Sequence, residues 1–348
     1  MIHRPTIASV RLVIGAAAVA LSACGGGEAG LGAATQEPLT VLSGASLLDL
    51  LAAGPEAVAH SGTRRVEVFD NENNGESSVV YVEAIAVDSL GRFSLDPVEA
   101  VTPVLPDEET FFALQAARAG FNFHYRDFRV RDEQALLQNF RLIVPQVPPM
   151  TLLGRSCFEV LVDALDPTAI DFHLIVDDET GLVLASSALD GATGDLLQRA
   201  TYLSLEFGDP ADFVAHESTN QEQPLDLGLS LYEQLGYEPA LPSYLPEGFG
   251  LSSAATVVDP DGVRWFLATY TNGVEPLFYL QRLPQPVAPG VQAHSAATQL
   301  DEPDMDRLSG FEAGRVTVLQ GLLNGRTCAA VGFCSSLELQ LLLESAIL

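Results

Sequence analysis

The chain contains no lysine: all 17 of its basic residues are arginine, set against 46 Asp and Glu, for a formal charge of −29 over 348 residues. A surface this acidic repels phosphate backbones, which argues against nucleic acid as a partner. Otherwise that charge bears on solubility and association and not on fold. Past the N-terminus no stretch approaches the ~20 apolar residues of a membrane-spanning helix. Charged residues are 18% and hydrophobic residues 47%, so disorder of the whole chain is excluded. The length points to about two domains at ~150 residues each.

Signatures of chemistry are also missing. There is no G-x-S-x-G, no P-loop, no H-E-x-x-H and no G-x-G-x-x-G, each of which would carry a defined catalytic or phosphate-binding geometry. Beyond His3, the histidines His60, His124, His173, His216 and His294 form no H-x-H or H-x₃-H pair. Asp177-Asp178-Glu179 lacks the alternating ligands of a calcium loop and reads better as a turn. Carboxylates are too numerous for a glycosidase pair to stand out. The chain is therefore read as a non-enzymatic protein without cofactor or metal.

The N-terminus carries the most specific pattern. Arg4 and Arg11 mark a basic start, Val10 to Ala20 are mostly apolar, and Leu21-Ser22-Ala23-Cys24 precedes three glycines. A basic segment, a short apolar run and small residues before a cut make a secretory signal. Leu21 to Cys24 resembles a bacterial lipobox, which implies that residues 1–23 are removed and that Cys24 carries lipid. Its sulfur is the nucleophile that takes a diacylglycerol, and a further acyl chain such as palmitate makes such an anchor stable. The chain is then expected in the cell envelope, tethered to a membrane and facing the periplasm or the exterior. Residues 24–40, rich in Gly and Ala, form the flexible tether.

Export permits disulfides. Cys328 and Cys334 lie six apart around Ala329-Ala330-Val331-Gly332-Phe333, a spacing that suits a bridge across a short hairpin-like loop. C-x-x-C spacing and nearby zinc partners are absent. Cys157, in the strand-like run Cys157 to Val162, reads as a buried inert thiol.

Period-2 alternation dominates the rest. Ser46 to Ala59 reads as a helix with Leu47, Leu48, Leu50 and Leu51 on one face, kinked or shortened by Pro55. Strands follow at 64–69, at 79–87 (apolar except for Glu83) and at 91–98. Asp107 caps a helix over 108–119, and Phe121 to Val130 alternates as a strand. A short helix at 133–140 leads to a Pro-rich segment at 145–149. Consecutive hairpins then occupy 158–165, 170–176, 182–189 and 196–207. Polar, Pro-containing residues 208–228 read as a linker. Beyond it come a Leu-rich helix near 226–236, strands at 252–258, 263–271, 276–282, 314–319 and 327–332, and a helix at 336–347.

Three of these segments resemble the LolA/RseB (MucB) superfamily. They are Tyr81-Val82-Glu83-Ala84 through Gly91-Arg92-Phe93-Ser94-Leu95-Asp96-Pro97-Val98, then Phe172 to Leu184 around Val176-Asp177-Asp178-Glu179-Thr180-Gly181, and last Pro242-Ser243-Tyr244-Leu245-Pro246-Glu247-Gly248-Phe249 followed by Thr269-Tyr270-Thr271-Asn272-Gly273. The resemblance implies an α+β fold, with a strongly curved half-barrel antiparallel sheet under a helical lid over 41–212, a linker over 213–235, and a smaller RseB-like domain over 236–348. It implies an apolar groove that binds an acyl chain or lipidated peptide. In RseB-like members the domain pair binds the periplasmic part of an anti-sigma factor; in LolA-like members the groove carries lipid or lipoprotein without signalling.

Candidate groove residues are Val80, Phe93, Phe111, Phe112, Phe121, Phe123, Tyr125 and Phe172. Arg118, Arg126, Arg129, Arg131 and Arg141, interleaved with aromatics, form either a basic rim for headgroups or an acidic peptide, or strand-face ion pairs with Asp127, Asp132 and Glu133.

Overall fold

A computed structural model describes residues 44–70, 76–102, 127–146, 148–211, 213–215, 221–258, 262–283, 308–313, 316–323 and 325–346. Cys24 and the signal and tether segments lie outside these, as do the expected helix over 108–119 and most of the expected strand over 121–130.

Helix α1 (Gly44–Ala53) opens the described chain. It stops short of the expected end because Gly54 breaks it and Pro55 starts a separate 3-10 turn, Pro55–Ala57, where a missing N–H costs nothing. Nine strands follow in one antiparallel sheet: β1 (His60–Asp70), β2 (Glu76–Val87), β3 (Phe93–Thr102), β4 (Phe140–Ile143), β5 (Met150–Leu152), β6 (Arg155–Ala164), β7 (Ile170–Asp177), β8 (Val183–Asp190) and β9 (Leu196–Phe207). Their spatial order is β3-β2-β1-β9-β8-β7-β6-β4, with β5 also on β6. The sheet keeps two edges and is a half-barrel, not a closed one. Register shifts interrupt the β1–β2, β1–β9, β2–β3, β7–β8 and β8–β9 ladders, and such bulges bend and twist a sheet.

Alternate residues of this sheet are buried: Val160 and Val162, then Phe172, Leu174 and Val176, then Ala200 and Tyr202. They share the inner face. Over it lie Leu47, Leu48 and Leu51 of α1, the chain at Phe128 and Val130, and Leu136 of helix α2 (Glu133–Asn139). The Asp177 turn is part of this seat. Its carboxylate accepts from Thr180 N–H at 2.8 Å and from Arg155 at 2.5 and 3.0 Å. Gly181 has φ +76°, and a Cβ there would overlap the Leu50 side chain of α1.

Residues 127–132 are not a strand. Their alternation does report which side chains face in, since Phe128 and Val130 are buried. Their amides, however, go elsewhere. Val130 N–H donates to Leu51 O of α1 at 3.4 Å, and Arg131 N–H donates to Gly273 O at 2.8 Å.

The second sheet holds β10 (Gln221–Pro224), β11 (Gly250–Val258), β12 (Arg264–Thr271), β13 (Pro276–Arg282), β14 (Ser309–Ala313), β15 (Val316–Leu323) and β16 (Arg326–Gly332). Their order is β10-β11-β12-β13-β16-β15-β14. Strand β10 lies within the expected linker. It reads as polar because it is an edge strand, where charge and proline are tolerated. Short helix α3 (Leu231–Leu235) follows it. Helix α4 (Ser336–Ser345) buries Leu339, Leu342 and Leu343 in one cluster with Phe266, Leu277 and Tyr279.

Cys328 and Cys334 are not bridged. Cys328 sits inside β16, buried, with Sγ 3.5 Å from Tyr279 Oη. Four extended residues then carry the chain ~13 Å along the strand before Cys334, whereas a bridge needs Cα atoms within ~7 Å. Cys157 is buried, and burial pushes its thiol pKa up.

Among the described residues the two sheets meet at a joint built on Arg131, Asn139 and the β12–β13 turn. Asn139 Nδ2 donates to Gly248 O and to Asn272 O, both at 3.0 Å. Arg131 Nε donates to Val274 O at 2.9 Å. The β12–β13 turn is shaped by Asn272, whose Oδ1 accepts from Val274 N–H and Glu275 N–H at 3.1 and 2.8 Å. Gly273, φ +107°, lies so close to α2 that a Cβ would overlap the Leu136 backbone nitrogen. Val274 is buried in the first sheet's core.

Candidate functional site

A small cleft, about 30 Å³ in volume, lies between the C-terminal end of α1 and the inner face of β1, β8 and β9. Its walls are apolar: Leu50, Leu51, Pro55, Phe128, Leu182 and Leu184. Its floor is not. There Arg64, Asp127, Ser186 and Tyr202 line the cavity.

Sheet register builds that floor. Arg64 on β1 stands directly across from Glu83 on β2 and from Tyr202 on β9. A bulge between Thr63 and Arg64 aims it inward. The guanidinium is only 4% exposed and is held by two carboxylates. Nε donates to Glu83, and Nη1 and Nη2 donate to the two oxygens of Asp127 at 2.7 and 3.0 Å. This fork-to-fork geometry suits arginine and not lysine. Burial works against the charged guanidinium, but Asp127 and then Glu83 overcome it and hold its pKa well above the usual range.

The guanidinium carbon also lies 6.0 Å from the Tyr202 ring centre. Tyr202 in turn meets His60, with Nε2 2.8 Å from the phenol oxygen; Nδ1 lies 2.6 Å from Val58 O. A carbonyl only accepts, so Nδ1 carries the proton and Nε2 of the neutral ring accepts from the phenol. Burial, with Arg64 adding to it, lowers the His60 pKa below 6.5 despite the Val58 bond. Both ring nitrogens are engaged within the protein, so the imidazole has no atom to move a substrate proton. Among the described residues no group of three or more His, Cys, Asp or Glu is placed to hold a metal. Among the described residues the arrangement offers apolar surface and firmly held polar groups, which can bind and position a ligand.

The sequence-derived candidates are only partly gathered here. Phe93 and Phe172 are buried in the first sheet's clusters, with the Phe172 ring edge-on to Phe128 at 5.3 Å. Val80 pairs with Glu67, one position out of phase with Tyr81 and Val66, so it lies on the other face. Phe111, Phe112, Phe121, Phe123, Tyr125, Arg118 and Arg126 fall outside the described residues. Three of the five candidate arginines are among the described residues. Arg129 pairs with Glu56 at 2.5 Å, Arg131 reaches Val274 O, and Arg141 is exposed on β4. Two of the acids expected beside them have other roles. Asp127 holds Arg64, and Asp132 caps α2 by accepting from Ala135 N–H at 2.8 Å.

Arg64, Glu83, Asp127, Tyr202 and His60 escaped the sequence reading. The signal that could have found two of them is Glu83, the lone charge in an otherwise apolar strand. A charge on a buried face demands a partner.

Among the described residues no helix is long and apolar enough to cross a membrane. No family model matches the chain, and no curated protein does. Solved structures do. MucB alone aligns at TM-score 0.50 and 18% identity, covering 86% of this chain and 96% of that one. MucB in complex with MucA(peri) aligns at TM-score 0.47 and 17% identity, covering 88% and 97%. The Pseudomonas aeruginosa MucA/MucB complex gives 0.47 and 17%, covering 86% and 96%. The likeness to MucB alone establishes the fold: an open antiparallel half-barrel followed by a second antiparallel sheet, in one chain.

Proposed function

We propose that this chain is an exported, non-enzymatic binding protein of the cell envelope that holds the periplasmic segment of an anti-sigma factor. The observation that carries this reading is that the likeness to MucB spans both sheets, 86% of this chain and 96% of MucB, and that MucB has been solved with MucA(peri) bound. A carrier of lipid or lipoprotein needs only the first sheet and leaves the second without a task. In this reading Cys24, lipidated, tethers the protein to a membrane with the fold facing the periplasm or the exterior.

The cleft then receives the signal. Apolar walls over a polar, hydrogen-bonding floor suit one end of an acyl chain or lipidated peptide, since apolar burial contributes about 25 cal/mol per Å². The rest of the inner face is filled by the chain's own leucines from α1. In this reading the ligand site is the cleft.

The test takes mature chain with Cys24→Ser and titrates it with the periplasmic segments of the source organism's membrane-spanning anti-sigma factors. One of them is expected to bind at about 1 μM or tighter and to gain resistance to added protease. Failure of every segment to bind at a hundredfold higher concentration overturns the reading. Denaturing extraction of the purified chain tests the ligand separately, by whether an acyl species is released.

A further inference from the structure

One segment joins the cleft to the second sheet. At its start, Asp127 gives both carboxylate oxygens to Arg64 on the cleft floor. Next, Phe128 and Val130 are buried in the core and Val130 N–H bonds to α1. Four residues after Asp127, the Arg131 amide and side chain hold Gly273 O and Val274 O. Asp132 caps α2, which lies under Gly273, and Asn139 at its end holds Gly248 O and Asn272 O. Four residues span at most ~13 Å, so little chain lies between the Arg64–Asp127 pair and the joint. Arg131 and Asn139, both in this segment, donate the hydrogen bonds that cross to the β12–β13 turn and Gly248.

We infer that residues 127–139 act as a strap: the Arg64–Asp127 pair in the cleft sets how firmly the first sheet grips the β12–β13 turn of the second. When the pair is closed, Asp127 pins the start of the strap and holds Arg131 and α2 against Gly273. When a group in the cleft takes Arg64 from Asp127, the strap loses that anchor and the joint loosens. Only an anion can replace a carboxylate on a buried guanidinium without stranding the charge, so an acidic group on a cleft ligand is the one that would release it. This concerns the chain alone and stands whether or not the protein binds an anti-sigma factor.

Hydrogen exchange on the complete mature chain tests it. Asp127→Asn should raise exchange at residues 271–275 and over α2 by roughly 3- to 30-fold, the range of ordinary coupling energies, and leave β13 and β16 protected. Arg155→Met provides the comparison, because it breaks an equally bidentate pair, with Asp177, in the same sheet but away from the strap. It should leave 271–275 unchanged. Unaltered exchange at 271–275 in Asp127→Asn, or an equal rise in both variants, overturns the proposal. If Asp127→Asn does not fold, Asn139→Ala reads the coupling from the other end, because coupling is reciprocal. Faster exchange over 127–130 supports the strap, and unchanged exchange there refutes it.

Discussion

Each sheet is closed on one face by a helix, yet the two closures are made differently. Under α4, Leu339, Leu342 and Leu343 meet Phe266, Leu277 and Tyr279, and the buried, neutral Gln281 is bonded at both ends of its amide, donating to Tyr237 Oη and accepting from Ala240 N–H. Under α1, leucines meet a sheet face that also carries Arg64, Glu83 and His60, all buried. The first closure is apolar burial, which is indifferent to direction. The second spends desolvation energy on charges whose attraction only roughly returns it. A buried ion pair is thus weak support for stability but strong support for position: it fixes where Asp127, and the chain after it, must lie.

Removing the charge should separate the two closures most sharply. Arg64→Met leaves Glu83 and Asp127 buried without a cation and should cost ~3–5 kcal/mol, seen as a lower urea midpoint for the first sheet. Restoring neutrality with Glu83→Gln and Asp127→Asn in the same chain should recover part of that loss. Slightly smaller is Leu342→Ala under α4, at ~2–5 kcal/mol from lost burial and the cavity left behind. Its pH dependence should match that of the parent chain, because no charge is involved.

His60 offers a finer distinction. Its pKa is lowered on folding, so the unfolded chain takes the proton first as pH drops. Stability from the neutral ring is therefore present above about 6.5 and is lost as pH falls from there toward the folded-state pKa. The slope is at most ~1.4 kcal/mol per pH unit. His60→Gln should flatten that part of the stability curve; an unchanged slope would assign it to other groups. The smallest effect belongs to the α4 cap. Ser335 accepts from Glu338 N–H, and Glu338 reaches back to Ser335 N–H at 2.9 Å. Ser335→Ala should cost ~1 kcal/mol in the second sheet's unfolding.

How much was legible in the sequence follows the same division. The hairpins from β6 to β9 were readable because one face of each is apolar and Asp177-Asp178-Glu179-Thr180-Gly181 is turn chemistry. Strands β4, β5, β10 and β14 were missed because they are short or at an edge, where the apolar alternation that marks a strand is weak. The β12–β13 turn was readable as a turn. That Asn272 and Gly273 also clamp α2 was not, since nothing near them in sequence says what lies against them. Phe93 and Phe172, named as groove candidates, are buried in the first sheet's clusters. That Phe172 packs in one cluster with the leucines of α1 was not readable, a matter of how a helix more than 100 residues away packs.

By itself, then, the sequence determined the elements and their faces: a period of 2 dictates which side chains share a side, and Gly, Pro and Asp dictate where the chain turns. The tertiary structure alone decided which charges meet. Arg64, Glu83 and Asp127 come from three separate segments, and it is register between β1 and β2, a single bulge and a non-strand crossing that bring them within hydrogen-bond reach. Local propensity acts over a few residues, whereas a buried charge selects its partner by proximity in space, and that is set only when the sheet has folded.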